Sequence, residues 1–166
     1  MNRFACVLAL AVGVLAVAGV RADEEKVPLD KLPKAVKEAV EKRFPKVEMT
    51  AASKEKDGDK VVYEVSLKKD DKNIDVTVTE AGAITLIEQQ LDFKDLPKAV
   101  AKTFEEKYPN AKYEIVESVT KVADGKETLD YYEAKLVDAG KKKWEVEVLP
   151  DGKLKSATEV KDEKKD

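Results

Sequence analysis

The sequence predicts an α+β fold: a tandem repeat of a helix followed by a four-stranded antiparallel meander, with the helices packed on one sheet face. Three observations carry this. The pentapeptide Leu32-Pro33-Lys34-Ala35-Val36 returns as Leu96-Pro97-Lys98-Ala99-Val100, an offset of 64 residues. Both copies open a stretch that closes on aromatic-proline, Phe44-Pro45 and Tyr108-Pro109, at the same offset of 64. After each stretch the apolar period changes from that of a helix to that of a strand.

The helical stripes come first. Leu32, Ala35, Val36, Ala39, Val40 and Phe44 recur at steps of three and four, and so do Leu96, Ala99, Val100, Thr103, Phe104 and Tyr108. Pro33 and Pro97 suit a first helical turn, whose amide needs no partner. Asp30 and Asp95 lie just upstream, where a helix dipole favours negative charge. Pro45 and Pro109 end the stretches, because the residue before proline is pushed out of the helical region.

The strand patterns follow. In the first unit Val47, Met49 and Ala51 alternate, then Val61, Tyr63, Val65 and Leu67, then Ile74, Val76 and Val78, then Ile84 and Leu86. The second unit gives Ala111, Tyr113 and Ile115, then Tyr132, Ala134 and Leu136, then Trp144, Val146 and Val148, with Leu154 alone in the last strand. Turn signals separate them, among them Asp57-Gly58, Asp70-Asp71-Lys72-Asn73, Asp124-Gly125 and Asp151-Gly152. These boundaries place a first repeat over 27–90 and a second over 91–160. The second repeat's hairpins are lengthened near Ala123–Thr128 and Asp138–Lys143. The connector Gln90–Asp95 is short and contains Leu91 and Phe93, so the halves of a monomer are expected to pack side by side, as two sheets or as one continuous sheet. The charged tail 161–166 reads as disordered.

Residues 1–22 read as a secretory signal peptide: Arg3, an uncharged run from Phe4 to Val20, and Val20-Arg21-Ala22 before Asp23. Cleavage removes 22 of the 166 residues, together with Arg3, Arg21 and the single cysteine, Cys6. The mature chain then carries 29 basic against 34 acidic residues, a net charge of −5, and neither Cys nor His. A periplasmic or secreted location follows, with no membrane attachment after cleavage. No disulfide is available, so packing alone must hold the fold.

This composition narrows the chemistry. Zinc, copper and iron sites lean on Cys and His. A Ser-His-Asp or Cys-His arrangement needs a histidine. The serines sit in no Gly-x-Ser-x-Gly elbow, and no glycine-rich phosphate loop appears. Acidic and basic residues alternate along the chain, so there is no basic block for nucleic acid. No cofactor is expected and no enzyme is predicted; paired carboxylates without a cleft do not make a glycosidase.

The candidate site is therefore the sheet face opposite the helices. A short turn at Asp138–Lys141 places Glu133 opposite Glu147 and Lys135 opposite Glu145. Tyr131 shares that face as a candidate aromatic anchor, and Glu64 represents it in the first unit. These six residues form the expected binding surface for an envelope or secreted protein partner. The alternative is a calcium or small-ligand site on the same carboxylates, since calcium takes oxygen ligands only. Trp144, Tyr63 and Tyr132 read as core.

Leu-Pro-x-Ala-Val opening a helix, aromatic-Pro closing it, Tyr63-Glu64-Val65 with Tyr132-Glu133-Ala134, and Asp151-Gly152-Lys153-Leu154 at a final turn together resemble the PepSY-like proteins. These are exported bacterial proteins similar in fold to the beta-lactamase inhibitor protein. The resemblance spans about 27–160. It implies a tandem helix-plus-sheet fold, export, and protein binding or hydrolase inhibition. Its motifs are structural positions and supply no catalytic or binding residues.

Overall fold

A computed structural model describes residues 25–57 and 60–161. The expected signal peptide, Gly58 of the first turn and the tail beyond Lys161 lie outside the described residues. The strands are β1 (Glu25–Lys26), β2 (Glu48–Asp57), β3 (Lys60–Lys69), β4 (Lys72–Thr79), β5 (Ile84–Gln90), β6 (Lys112–Ala123), β7 (Lys126–Val137), β8 (Lys143–Val148) and β9 (Leu154–Val160). Two α-helices precede β2 and β6: α1 (Lys34–Arg43) and α2 (Lys98–Lys107).

This corrects the expected fold. The chain is not an α+β tandem of two helix-plus-four-strand meanders. It is one antiparallel sheet of nine strands in strict chain order, from β1 to β9, with two short helices laid on it. The decisive ladder is β5 with β6, where Leu86 pairs with Lys121, Glu88 with Val119 and Gln90 with Glu117. Two separate four-stranded sheets would each leave strand edges unpaired, and a unit of about 60 residues buries too little surface to stand alone. Joining β5 to β6 satisfies both edges. The outer edges differ: β1 has two residues among those described, and β9 carries a bulge.

The helices use the predicted stripes. Val36 and Val40 of α1 are fully buried against Val65, Leu67, Ile74, Val76 and Val78. Val100 and Phe104 of α2 are fully buried against Ala134, Leu136, Val146 and Val148. Pro33 and Pro97 sit one position earlier than expected, as the caps from which the helices start. Asp30 and Asp95 belong to short 3-10 turns before them. Trp144 packs at the rim of the second cluster, 5.6 Å from the Tyr108 ring, and its Nε1 donates to Asp138 at 2.9 Å.

The turns follow their residues. Asp70 and Asp71 both have positive φ, 48° and 61°, as a two-residue hairpin with the sheet's twist demands. Asp124 and Gly125 do the same at 52° and 73°. The hairpin they close is long enough for Glu127 to meet Arg43 at the end of α1, through bonds of 2.6 and 3.0 Å.

Two glycines tie the helices to the sheet. Gly82 has φ of 85°, and a Cβ there would lie 2.7 Å from the carbonyl oxygen of Ala35 in α1. Gly152 has φ of 87°, and its Cβ would lie 2.9 Å from the carbonyl oxygen of Ala99 in α2. Gly125 has φ of 73° but open space around it. Gly125→Ala is therefore expected to cost only the left-handed backbone penalty of roughly 1–2 kcal/mol. Gly82→Ala and Gly152→Ala add a backbone collision and should cost distinctly more in urea unfolding. Equal midpoints for the three variants would contradict the close helix approach.

Five bulges interrupt the ladders among the described residues: at Met49/Ala51, Thr77/Val78, Tyr113/Ile115, Val119/Thr120 and Glu147/Val148. Each re-aims the side chains beyond it, because one extra residue exchanges the two faces. The core positions therefore differ from the simple alternation. Ala52, rather than Ala51, joins the core on β2. Ile87, not Leu86, does so on β5, and Val116, not Ile115, on β6.

Candidate functional site

The sheet face away from the helices is acidic. Register places Glu64 on β3, Asp75 on β4, Glu88 on β5, Glu117 on β6, Glu133 on β7, and Glu145 and Glu147 on β8, all on this face. Lys135 and Lys155 stand among them. The ladder pairs Glu133 with Glu147 and Lys135 with Glu145. A further rung pairs Glu117 with Glu133. Like charges directly opposed across strands are unfavourable, and three carboxylates meet along this line.

The face is also drier than an open sheet surface. Glu117 is 8% exposed and Glu133 only 6%. Bulges increase local twist, and the crowded side chains of β5 to β8 shield one another. Burial disfavours the charged form of a carboxyl group. It pushes Glu88 up to about 7, with the charges of Glu117, Glu133 and Glu64 adding to it and Lys135 opposing. It pushes Glu133 up to about 7 as well, with Glu145, Glu117 and Glu147 adding. Glu117 is raised for the same first reason. Burial works against the charge of Lys135, but Glu133, Glu117, Glu145 and Glu88 outweigh it and hold that ammonium protonated above its ordinary range.

The two lysines partly answer the charge. Lys135 Nζ lies 3.6 Å from Glu133 Oε1. Lys155 is the extra residue of the β8–β9 bulge, and its ammonium is 3.0 Å from Glu147, 3.5 Å from Asp130 and 3.4 Å from the centroid of the Tyr131 ring. That last contact is a cation–π arrangement. Tyr131 is accordingly half-buried beneath Lys155, and burial with the charges of Glu147 and Glu133 raises its hydroxyl above the ordinary phenol range.

The structure thus brings Tyr131, Glu133, Lys135, Glu145 and Glu147 together. It places Glu64 on the same face four strands from Glu133, close enough for its charge to weigh on Glu88. Carboxylate oxygens of Glu133, Glu145 and Glu147 lie within 4.8 Å of one another, a spacing that could hold a cation. Sequence reasoning missed Glu88, Glu117 and Lys155. All three follow or occupy bulges. Alternation counted from Ile84 and from Ile115 assigns Glu88 and Glu117 to the helix side, and the extra residues Thr85 and Glu114 turn them to the open side. The adjacent apolar pairs Leu86-Ile87 and Ile115-Val116 were the available signal, since strict alternation turns only one of each pair inward.

Toward the end of this face the carboxylates give way to a shallow groove of about 410 Å³ between Val62, Thr77, Leu86 and Lys121. Among the described residues no helix is long and apolar enough to cross a membrane.

No curated protein matches the sequence. Solved structures do. A BLIP-like protein from Bacteroides fragilis is 21% identical, with a TM-score of 0.59 over 80% of this chain and 89% of that one. A protein from Bacteroides eggerthii described as periplasmic is 13% identical, with a TM-score of 0.65 over 80% of this chain and 92% of that one. At such identities the likeness is one of fold. The family model described as beta-lactamase-inhibitor-like, PepSY-like matches twice, over residues 19–86 and 73–156. Together the two matches take in most of the sequence, and the chain belongs to the PepSY-like family.

Proposed function

We propose that the protein is an exported, non-catalytic binding module that holds a basic segment of an envelope or secreted partner protein on its open sheet face. One observation carries the reading: seven carboxylates share one face with two lysines. Such a face repels acidic partners and attracts basic ones. The beta-lactamase-inhibitor-like family description and the periplasmic description of a structural neighbour support the export and the non-catalytic role.

Capture from an envelope extract with immobilised mature protein tests it. The expected result is a specific basic partner, lost with Tyr131→Ala combined with Glu133→Lys. Glu145→Lys, at a more open position, should weaken recovery without disturbing the core. Unchanged recovery with both variants removes this face.

A calcium site is the second reading, favoured by the spacing of Glu133, Glu145 and Glu147. Lys135 and Lys155 already place ammonium groups 3.6 and 3.0 Å from two of these carboxylates, and calcium seeks six to eight oxygens. Millimolar calcium is therefore expected to leave the melting temperature unmoved. A clear rise would favour the calcium reading, because a ligand of the native state must stabilise it.

A further inference from the structure

The open face shows what kind of cation it accepts, because two of its own side chains act as ligands. Lys155 lies in a cage of Glu147, Asp130 and the Tyr131 ring. Lys135 lies against Glu133, and the charges of Glu117, Glu145 and Glu88 reach it. In both places the bound group is an alkylammonium.

One part of the face has acceptors that feel the charge of Lys135 but make no ion pair with it among the described residues. Glu117 is 8% exposed, and no hydrogen bond or ion pair reaches it among the described residues. Glu88 on the neighbouring strand likewise makes none, and Glu117 is the charged neighbour that weighs most on it. Glu88 pairs with Val119 and Glu117 with Gln90, so the two are diagonal neighbours on one face. At that separation their Cα atoms are about 7–8 Å apart, and their carboxylates can converge on one small cation. A buried carboxylate left without a partner is costly. Glu117, with the half-buried Glu88 diagonal to it on the same side, calls for a donor that brings positive charge closer than Lys135, whose charge reaches both without an ion pair.

We infer that Glu88 and Glu117, with Glu133 beside them, form a receptor for one alkylammonium group, supplied by a lysine side chain of a partner or by a free diamine. The inference rests on the reading of the open face as a binding surface. Three features select an ammonium over a divalent ion. An ammonium has three donors and needs few acceptors, whereas a divalent ion needs more oxygens than one flat layer of side chains provides. Lys135 stands close by and repels a doubly charged ion more than a singly charged one. The apolar groove beyond, with Val62 and Leu86 on its walls, suits a methylene chain.

The test is a titration of the mature protein at low ionic strength, followed by backbone amide shifts in an NMR spectrum. The probes are 1,5-diaminopentane, a short lysine-containing peptide, calcium chloride, and pentanol as an uncharged control. The ammonium probes are expected to shift amides of β5, β6 and β7, and pentanol and calcium are not. Glu117→Gln keeps the shape and removes a repulsion, so it should fold at least as well as the parent. It should weaken ammonium binding about tenfold, the worth of one charge-assisted hydrogen bond, and Glu88→Gln should do the same. Glu106→Gln, on the far side of α2, should change nothing. A peptide that binds more tightly than the diamine identifies a protein lysine as the source; the reverse identifies a free diamine. Calcium shifting these amides while the ammonium probes leave them still would overturn the inference, as would unaltered affinity in both Gln variants. A partner captured by the intact face while ammonium probes stay silent would sink this receptor alone, and ammonium binding with no captured partner would sink only the protein-partner reading.

Discussion

The protein loses stability as pH rises from about 5 to about 8, and Glu133→Gln and Glu88→Gln flatten that loss. The sign follows from the raised carboxyls. In the unfolded chain a glutamate titrates near its model value of 4.5, while in the folded protein Glu133 and Glu88 hold their protons up to about 7. Between those values the native state binds more protons than the unfolded state, so unfolding becomes easier as pH increases. The associated stability is fully present below about 4.5 and is lost by the time pH passes about 7. For Glu133, which is 6% exposed, the ceiling is of order 3 kcal/mol. Glu88 is more open to water and contributes less. Exposed carboxylates held low by their partners, such as Asp138 beside Lys142 and Trp144 and Asp151 beside Lys153, act in the opposite sense at acid pH. The stability maximum should therefore fall near pH 5, below the usual optimum. Urea midpoints measured at four pH values decide it, and a flat or rising profile in the parent protein would rule out the buried carboxyl row.

Phe104→Ala is expected to cost about 3–5 kcal/mol, the range for deleting a buried aromatic ring. Phe104 is 0% exposed, and its ring stands 6.1 Å from Tyr113 and 6.4 Å from Phe93. It is the largest fully buried side chain among the described residues. The matching position on α1 is Val40, a smaller residue whose truncation leaves a smaller void. The loss is a fair fraction of a typical domain's 5–15 kcal/mol. Because β5 and β6 share a ladder, the damage should spread: the variant is expected to unfold in one transition, with signals from both ends of the sheet moving together. Two transitions would mean that the halves melt independently and that the β5–β6 ladder couples them weakly.

Local structure was largely legible in the sequence. Each helix runs on its predicted stripe, each turn signal among the described residues marks a turn, and the pairing of Glu133 with Glu147 follows from the short loop before β8. What stayed hidden was anything set by pairing between distant segments. The repeated Leu-Pro-Lys-Ala-Val marked two units packed side by side, and the hydrogen bonds of β5 to β6 decide that they share one sheet. The bulges had the same effect on a smaller scale. A single extra residue at Thr85 or Glu114 leaves composition and periodicity almost unchanged, yet it moves Glu88 and Glu117 across the sheet. The candidate carboxylates that strand alternation found lie on β3, β7 and β8, and those of β5 and β6 were missed, where the chain changes from one helix to the next.

The strictly sequential strand order has a kinetic consequence. Every strand hydrogen-bonds only to its neighbours in strand order, so six of the eight ladders join strands linked by a turn, and only β1–β2 and β5–β6 close across a helix. Folding rates rise as contacts become more local. Within β2–β5 and within β6–β9 a polypeptide of this design can add strands one hairpin at a time, and the β5–β6 ladder then joins the two runs. The growing rim is the hazard of such a route, since each newly added strand is briefly a free edge. Refolding in milliseconds, led by the β6–β7 hairpin with its 12-residue strands, is the expected signature in stopped-flow experiments.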